Sequence, residues 1–528
     1  MSGSPPYSGR TSTVPTIAEG VQEGPVLSSP LIDEKVTSRA DERRPSQPTE
    51  KAYSVFTSKE KWTIVLMASL AGVFSPLTAN VYFPAIPVIA SQFHKSTEAI
   101  NLTVTIYMVM QGLRTLSDRW GRRLMTVACM VLLALTCVGL ALVPTSDYWL
   151  LMLLRCIQAA GSASTIALGT GIIGDIATRA ERGNFMGIFG VGPLVGPCIG
   201  PVIGGGLSQG LGWRSIFWFL CIAASMCAIG ILCFLPETLR AIVGDGSYKP
   251  APLYRPLIPI IGRGRTIETT GEKPPKKPFV NPLRILLYPD IIVLLVFNGI
   301  VYAVFYGVLT TISTLFTVTY PELNQTDIGL CFLGIGGGMM TGTIFSGKLL
   351  DWDYQRVKAS AIRREQSDGE KDLRAGDGSK DDSFPIEVAR LRLLPVFLLV
   401  VTICVAGYGW CMQANVALAG PLILQIIIGF SVVGIMNTIS TILIDLFPTQ
   451  GSSITACNNL VRCSLGATLV SVIDIITNAL KPGWTYVVLA AMCVAVAPLL
   501  FIEMAYGPVW RGRRQEQIDR KENKRSSY

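Results

Sequence analysis

Long apolar runs, repeated at close intervals, constrain this chain more than any other feature. They fall near 62–83, 97–113, 124–143, 148–174, 184–208 and 214–235, and again near 290–316, 327–350, 393–412, 416–445, 452–477 and 484–506. A helix needs about 20 mostly apolar residues to cross a bilayer, so the pattern is six spans, a polar break, and six more. Composition agrees. Half of the 528 residues are hydrophobic and 15% are charged, against roughly 25% charged in an average soluble domain. A soluble enzyme is excluded, and an all-α membrane protein with twelve transmembrane helices is expected.

The polar segments between the runs set the organisation. Residues 1–60 are rich in Ser, Pro, Thr and charge and read as a disordered tail without a cleavable signal peptide. A six-helix unit over 61–235 and another over 285–506 flank a polar loop at 236–284, and a charged stretch near 352–392 reads as a solvated loop. Residues 507–528 form a basic tail. Arg119, Arg122, Arg123, Arg179, Arg182, the central loop, the 352–392 insert and the final tail all fall on one side of twelve spans; the other side offers only Lys95, Arg214 and Lys481. Positive charge marks the cytosolic side, so both termini are expected in the cytosol. The net charge of +9 is thus an orientation signal, and no basic patch interleaved with aromatics points to nucleic acid.

A shift of 270 residues lays Asp175 on Asp445, Arg155 on Gln425 and Ala159 on Gly429, while Asp118 finds a separate counterpart in Asp351. These matches point to a duplicated six-helix unit. His94 is the single histidine, which excludes any multi-histidine metal site, and the thirteen cysteines contain no C-x-x-C. Neither zinc nor a disulfide framework fits; buried small hydrophobes do. No Ser/His or paired-carboxylate constellation supports an enzyme, and no cofactor is implied.

The fifth run, GIFGVGPLVGPCIGPVIGGG, repeats Gly192, Gly196, Gly200 and Gly204 at spacing four, with Pro193, Pro197 and Pro201 in the same rhythm. Spacing of four puts each set on one helical face. Glycines there let another backbone approach, and each proline removes a donor and bends the helix. The eighth run answers with Gly334, Gly338 and Gly342. Generic tight packing explains the glycines; three prolines in register favour a bend in a moving seam between the two halves.

These residues carry a resemblance. Gly187, Gly196, Gly200, Pro201, Gly204 and Gly205 resemble the antiporter signature of the drug:proton antiporters of the major facilitator superfamily. LSDRWGRR, with Asp118, Arg119, Arg122 and Arg123, resembles that superfamily's gating loop between helices two and three. NVYFPAIP, RCIQAAGS, GWRSIFWF, LPETLR, LIDLFP and NNLVRC are similar to its fungal twelve-span branch of quinidine-resistance-type and citrate-type exporters. The resemblance implies two pseudo-symmetric six-helix bundles, a small-molecule substrate and protons as partners, and a monomer that works by alternating access in the plasma membrane. It implies export of a drug or secondary metabolite, with organic-acid export as the alternative and a non-transporting sensor as the remote one.

Charge inside the spans is costly and usually functional. Arg155 in the fourth run and Arg462 in the eleventh fall at mid-depth, Gln158 one turn after the first, Asn458 and Asn459 about a turn before the second. The family resemblance implies a role for Arg155 in proton coupling; an arginine bonded to backbone carbonyls is the bland alternative. Asp175, Asp445, Asp474 and Glu503 all fall near span ends, so no mid-depth carboxylate stands out as a proton carrier. Asn298, Tyr302 and Tyr306 share a face of the seventh run and suit an amphiphilic cargo or an interior packing face. Asn324 and Asn101 begin glycosylation sequons.

The second run departs from the family pattern. Arg114 stands where a glycine is usual, and the apolar stretch from Ile100 to Leu113 would reach roughly 21 Å as a helix, short of a ~30 Å hydrocarbon core. About eight residues are expected to be missing there, with a tilted or thinned short span as the alternative.

Overall fold

Each apolar run closes into a helix whose ends are set by local chemistry. The computed structural model describes residues 54–112, 121–246, 248, 251–261, 282–369, 386–447 and 451–526. Among them are α1 (Ser58–Asn80), α2 (Thr97–Gly112), α3 (Arg122–Leu142), α4 (Tyr148–Ile176), α5 (Arg179–Leu211) and α6 (Arg214–Phe234). The second half supplies α7 (Pro289–Thr319), α8 (Gln325–Gly369), α9 (Leu394–Gln413) and α10 (Ala419–Leu446). The last helical stretch, Gly451–Ser526, breaks at Lys481, where φ is 63° and ψ 161°. Pro482 follows, and a proline disfavours helical backbone in the residue before it. The stretch is therefore two helices, α11 (451–480) and α12 (482–526).

Thr57 with Glu60 and Thr178 with Glu181 form reciprocal capping boxes at the starts of α1 and α5. Asn324 and Asp327 exchange side-chain and backbone bonds of 2.9 and 3.2 Å at the start of α8. Gly121 precedes α3 at φ 93°, and a Cβ there would lie 2.6 Å from Glu237 Oε2, so both the left-handed backbone and the close carboxylate require glycine.

Ten stretches are long and apolar enough to cross a membrane. The last, Ser453–Arg514, contains both α11 and α12, and α2, with 16 residues, falls outside the ten. Twelve spans result. At about 1.5 Å per residue α2 reaches roughly 24 Å; its continuation, residues 113–120 with Asp118 and Arg119, lies outside the described residues. So do most of the N-terminal tail and residues 370–385 of the charged insert. The first part of that insert is helix, because α8 runs on to Gly369.

α1 packs on α4 and α5, α3 on α4 and α6, and α2 on α4; α8 packs on α10, α9 on α10, and both α7 and α9 on the α11–α12 pair. These are two six-helix bundles, α1–α6 and α7–α12, which meet along α5–α8 and α2–α11. Exposed Leu135, Met226, Ile403 and Phe501 form the lipid-facing surface. None of the thirteen cysteines is in a disulfide, and each is buried or half-buried.

The glycine ladder of α5 does not lie between the bundles. A Cβ on Gly192 would meet Ser69 O at 2.7 Å, on Gly196 Leu77 N at 2.6 Å, and on Gly200 Val81 N at 3.2 Å, while Gly204 lies against Val81 O. All four therefore face α1 and the turn after it, inside their own bundle. Gly334, Gly338 and Gly342 likewise face α10. The contact between bundles uses the adjacent face: Pro201 O against Gly329, Cys198 against Gly336, and Gly205 against Gln325 O. Of the expected seam glycines, Gly205 meets the partner bundle, whereas Gly187 has nothing within 4 Å of an added Cβ.

Candidate functional site

The two ends of the molecule differ in chemistry. One, the basic end, gathers paired charges. Arg122 Nε bonds Asp175 Oδ2 at 3.2 Å, and in the other bundle Arg390 Nε bonds Asp445 Oδ2 at 3.2 Å. The repeat that aligned Asp175 with Asp445 thus places equivalent ion pairs. Glu237 Oε1 accepts the backbone N–H groups of Arg122, Thr238 and Leu239 at 2.7–3.1 Å, and its Oε2 accepts that of Arg123 at 3.2 Å. The buried guanidinium of Arg123 donates to Leu232 O and Leu253 O at 2.7 and 3.1 Å, tying the segment after α6 to α3. Glu181, just before the apolar part of α5, has its carboxyl held below its usual range by a 2.7 Å bond from Lys61.

Toward the far end, around residues 81–97, 212–214, 320–324 and 481, the bundles touch. Thr326 N donates to Gln209 Oε1 at 3.0 Å, Asn478 Nδ2 to Glu98 Oε1 at 2.9 Å, and Asn101 Nδ2 to Asp474 Oδ2 at 2.5 Å. Phe83 and Phe332 stack across the same boundary with centroids 6.2 Å apart. Asn101 is 1% exposed and its amide is engaged with the other bundle, which leaves no room for a glycan at that sequon. Asn324 is exposed.

Between the ends sit two arginines. Arg155 is fully buried, with its guanidinium 4.3 Å from the Tyr82 ring centroid and 4.7 Å from that of Tyr107. Its Nη1 donates to Gln158 Oε1 at 2.7 Å, and Gln158 Nε2 reaches Cys137 Sγ at 3.2 Å. Tyr107 OH is fixed by Ser162 Oγ at 2.6 Å and donates to Ser75 O at 3.1 Å. The Nε and Nη2 groups of Arg155 have no hydrogen-bond partner.

Arg462, in the other bundle, lies 4.5 Å over Tyr302 and donates from Nη2 to Asn459 Oδ1 at 2.9 Å. Asn459 Nδ2 in turn donates to Gln111 O of α2 at 2.9 Å, linking the bundles. The Nε of Arg462 has no partner. The rings of Tyr302 and Tyr306 lie tilted with centroids 4.5 Å apart, and Tyr306 lies close enough to Tyr107 across the bundles to interact electrostatically. Each arginine thus lies against tyrosine rings of its own bundle. Rings supply cation–π attraction of about 1–2 kcal/mol when desolvated, which offsets part of the cost of burying each charge. Among the described residues, neither arginine has a carboxylate partner.

Of the residues expected from the sequence, Arg155 with Gln158 and Arg462 with Tyr302 come together. Asn458 does not serve Arg462: its Oδ1 accepts from Asn298 Nδ2 at 2.8 Å, and Asn459 takes the place beside the arginine. Tyr82, Tyr107 and Gln111 are not among the residues expected from the sequence. Polar residues inside apolar runs are the signal for Tyr107 and Gln111; Tyr82, within NVYFPAIP, carried none beyond the motif. His94 is exposed in the turn before α2, away from the arginines.

Two bundles of six helices meeting along two helix pairs, with polar groups gathered between them, define a secondary transporter. The sequence model of the Major Facilitator Superfamily matches residues 68–471, and the chain belongs to that family. It is 38% identical over 491 residues to citrate exporter 1 of Aspergillus niger, covering 90% of this chain and 92% of that protein. It is 33% identical over 472 residues to the MFS antiporter QDR2 of Candida albicans, covering 87% and 92%. The crystal structure of a D-xylose-proton symporter shares the fold, with a TM-score of 0.60 at 15% identity over 83% of this chain and 97% of that one. The chain is a membrane transporter of the drug- and citrate-exporting branch.

Proposed function

We propose that this transporter is a proton-coupled exporter of a secreted or toxic organic small molecule, acting as a monomer in the plasma membrane with the basic end in the cytosol. The two arginines make an organic anion the cargo the site fits best. The observation that carries this reading is a pair of guanidinium groups with unpartnered donors and, among the described residues, no carboxylate paired with either. A charge left alone in low dielectric is costly, and an anionic cargo would supply the missing partner through charge-assisted bonds. The similarity to a citrate exporter supports it.

The contacts between the bundles at the far end support a cytosol-facing state. Rocking of one bundle on the other would then separate Phe83 from Phe332. The second reading, export of an uncharged or cationic drug, draws on the rings of Tyr82, Tyr107, Tyr302 and Tyr306 and on the similarity to an antiporter. Efflux from reconstituted vesicles, driven by an imposed pH gradient, separates the two with citrate and quinidine as probes. Gradient-driven movement of citrate but not quinidine is expected. Quinidine alone would favour the second reading, and movement of both without any gradient dependence would remove proton coupling.

A further inference from the structure

The boundary between the bundles at the far end holds a half-buried carboxylate that the arginine site does not use. Asp474 sits less than two turns from the end of α11, half-buried, and accepts a 2.5 Å bond from Asn101 Nδ2 of α2. No other hydrogen bond to its side chain is present among the described residues. Glu98, also on α2, is the charged group that acts on it, and Glu98 itself is bonded to Asn478 one turn further along α11. From α12, Tyr486 is near enough to feel the charge of Asp474, and its hydroxyl is paired with Thr311 of α7 at 2.6 Å. Lys95 and Lys481, the nearby cations in sequence, are exposed.

Both α2–α11 bonds cross from one bundle to the other, so opening the far end must break them and put Asp474 in water. Closing it moves the carboxyl back beside a like charge with a single amide donor. That transfer costs more for an ionised carboxylate than for a neutral one. A neutral carboxyl still offers its carbonyl oxygen to the Asn101 amide, so the contact itself survives protonation.

We infer that Asp474 is an outward-facing proton-binding site whose occupancy favours closure of the far end. The inference rests on the proposed orientation and proton coupling. External water delivers the proton to the carboxylate while the far end is open, and the neutral carboxyl is then carried into the α2–α11 boundary. For an exporter this is the useful order, since a proton arriving from outside resets the carrier to face the cytosol after cargo has left.

Hydrogen–deuterium exchange on the purified full chain reads this without any cargo. After correction for intrinsic rates, segments 97–105 and 470–480 should exchange about fivefold more slowly at low than at neutral pH. Asp474→Asn, isosteric and permanently neutral, should be slow at both. Glu98→Gln should keep the pH response and move it to lower pH, because the like charge is gone. A wild-type pH response that persists in Asp474→Asn, or that disappears only in Glu98→Gln, overturns the inference, as does a wild-type chain with no response. Failure of the proposed function is read separately, by absence of gradient-driven efflux in the wild-type vesicles.

Discussion

The two bundles share an architecture but distribute charge differently. In the first, the mid-depth cation is Arg155 on α4, held between two tyrosine rings and bonded to Gln158. The aligned position on α10 is Gln425, whose Nε2 reaches Tyr408 OH at 3.4 Å and whose Oε1 has no partner. The second bundle instead carries its cation on α11, as Arg462 over Tyr302. Duplication therefore kept the end-capping ion pairs Arg122–Asp175 and Arg390–Asp445 but not the interior charge. Pairs at the ends serve each bundle separately, so both copies need them. The charges in the middle serve one shared site, and two arginines facing each other from identical positions would repel across it.

The comparison can be broken most severely through packing. Gly196→Leu drives a side chain into the α1 backbone, where even a Cβ would sit 2.6 Å from Leu77 N. Membrane-inserted protein should fall below detection by fluorescence size-exclusion. Gly187→Ala, with open space around it, should accumulate normally.

Next in size is the arginine asymmetry. Arg155→Gln, which makes the first bundle resemble the second, removes charge-assisted bonds worth roughly 1.5–3 kcal/mol each, or about 10–100-fold in gradient-driven efflux at matched expression. Arg155→Lys keeps the charge, loses the planar fork, and should fall between. Arg462→Gln should cost less, since Arg462 is half-buried and stacks on one ring where Arg155 has two. Equal losses at the two positions would erase the distinction between the bundles.

The smallest effect concerns α2, whose apolar run from Ile100 to Leu113 is short for a span. Inserting about eight apolar residues after Gly112 lengthens it toward a full crossing and should raise the level of folded transporter severalfold. No gain would show that the short helix is accommodated as it stands.

Much of the molecule was legible in the chain. Twelve apolar runs gave the helices, and the gap between the runs 452–477 and 484–506 gave the last break. The buried arginines were legible for the same reason, since charge inside an apolar run stands out wherever its helix packs. Their partners were not. Asn458 and Asn459 are neighbours in sequence but about 100° apart around the helix, and only the rotation of α11 against α2 and α7 decided that Asn459 serves Arg462 while Asn458 bonds Asn298.

The glycine ladder marks the boundary between what each level determines. Spacing of four in the sequence fixed that Gly192, Gly196, Gly200 and Gly204 share a face able to admit a backbone. It carried no information on which backbone, and the tertiary structure set α1 there, turning the neighbouring face with Pro201 and Gly205 to α8. Asn101 shows the same limit from the other side: its sequon reads as a surface site, yet its partner is Asp474, 373 residues away. Periodicity is a property of one helix. The identity of the neighbour is a property of how all twelve settle together, and it emerges only when close packing selects one rotation for each.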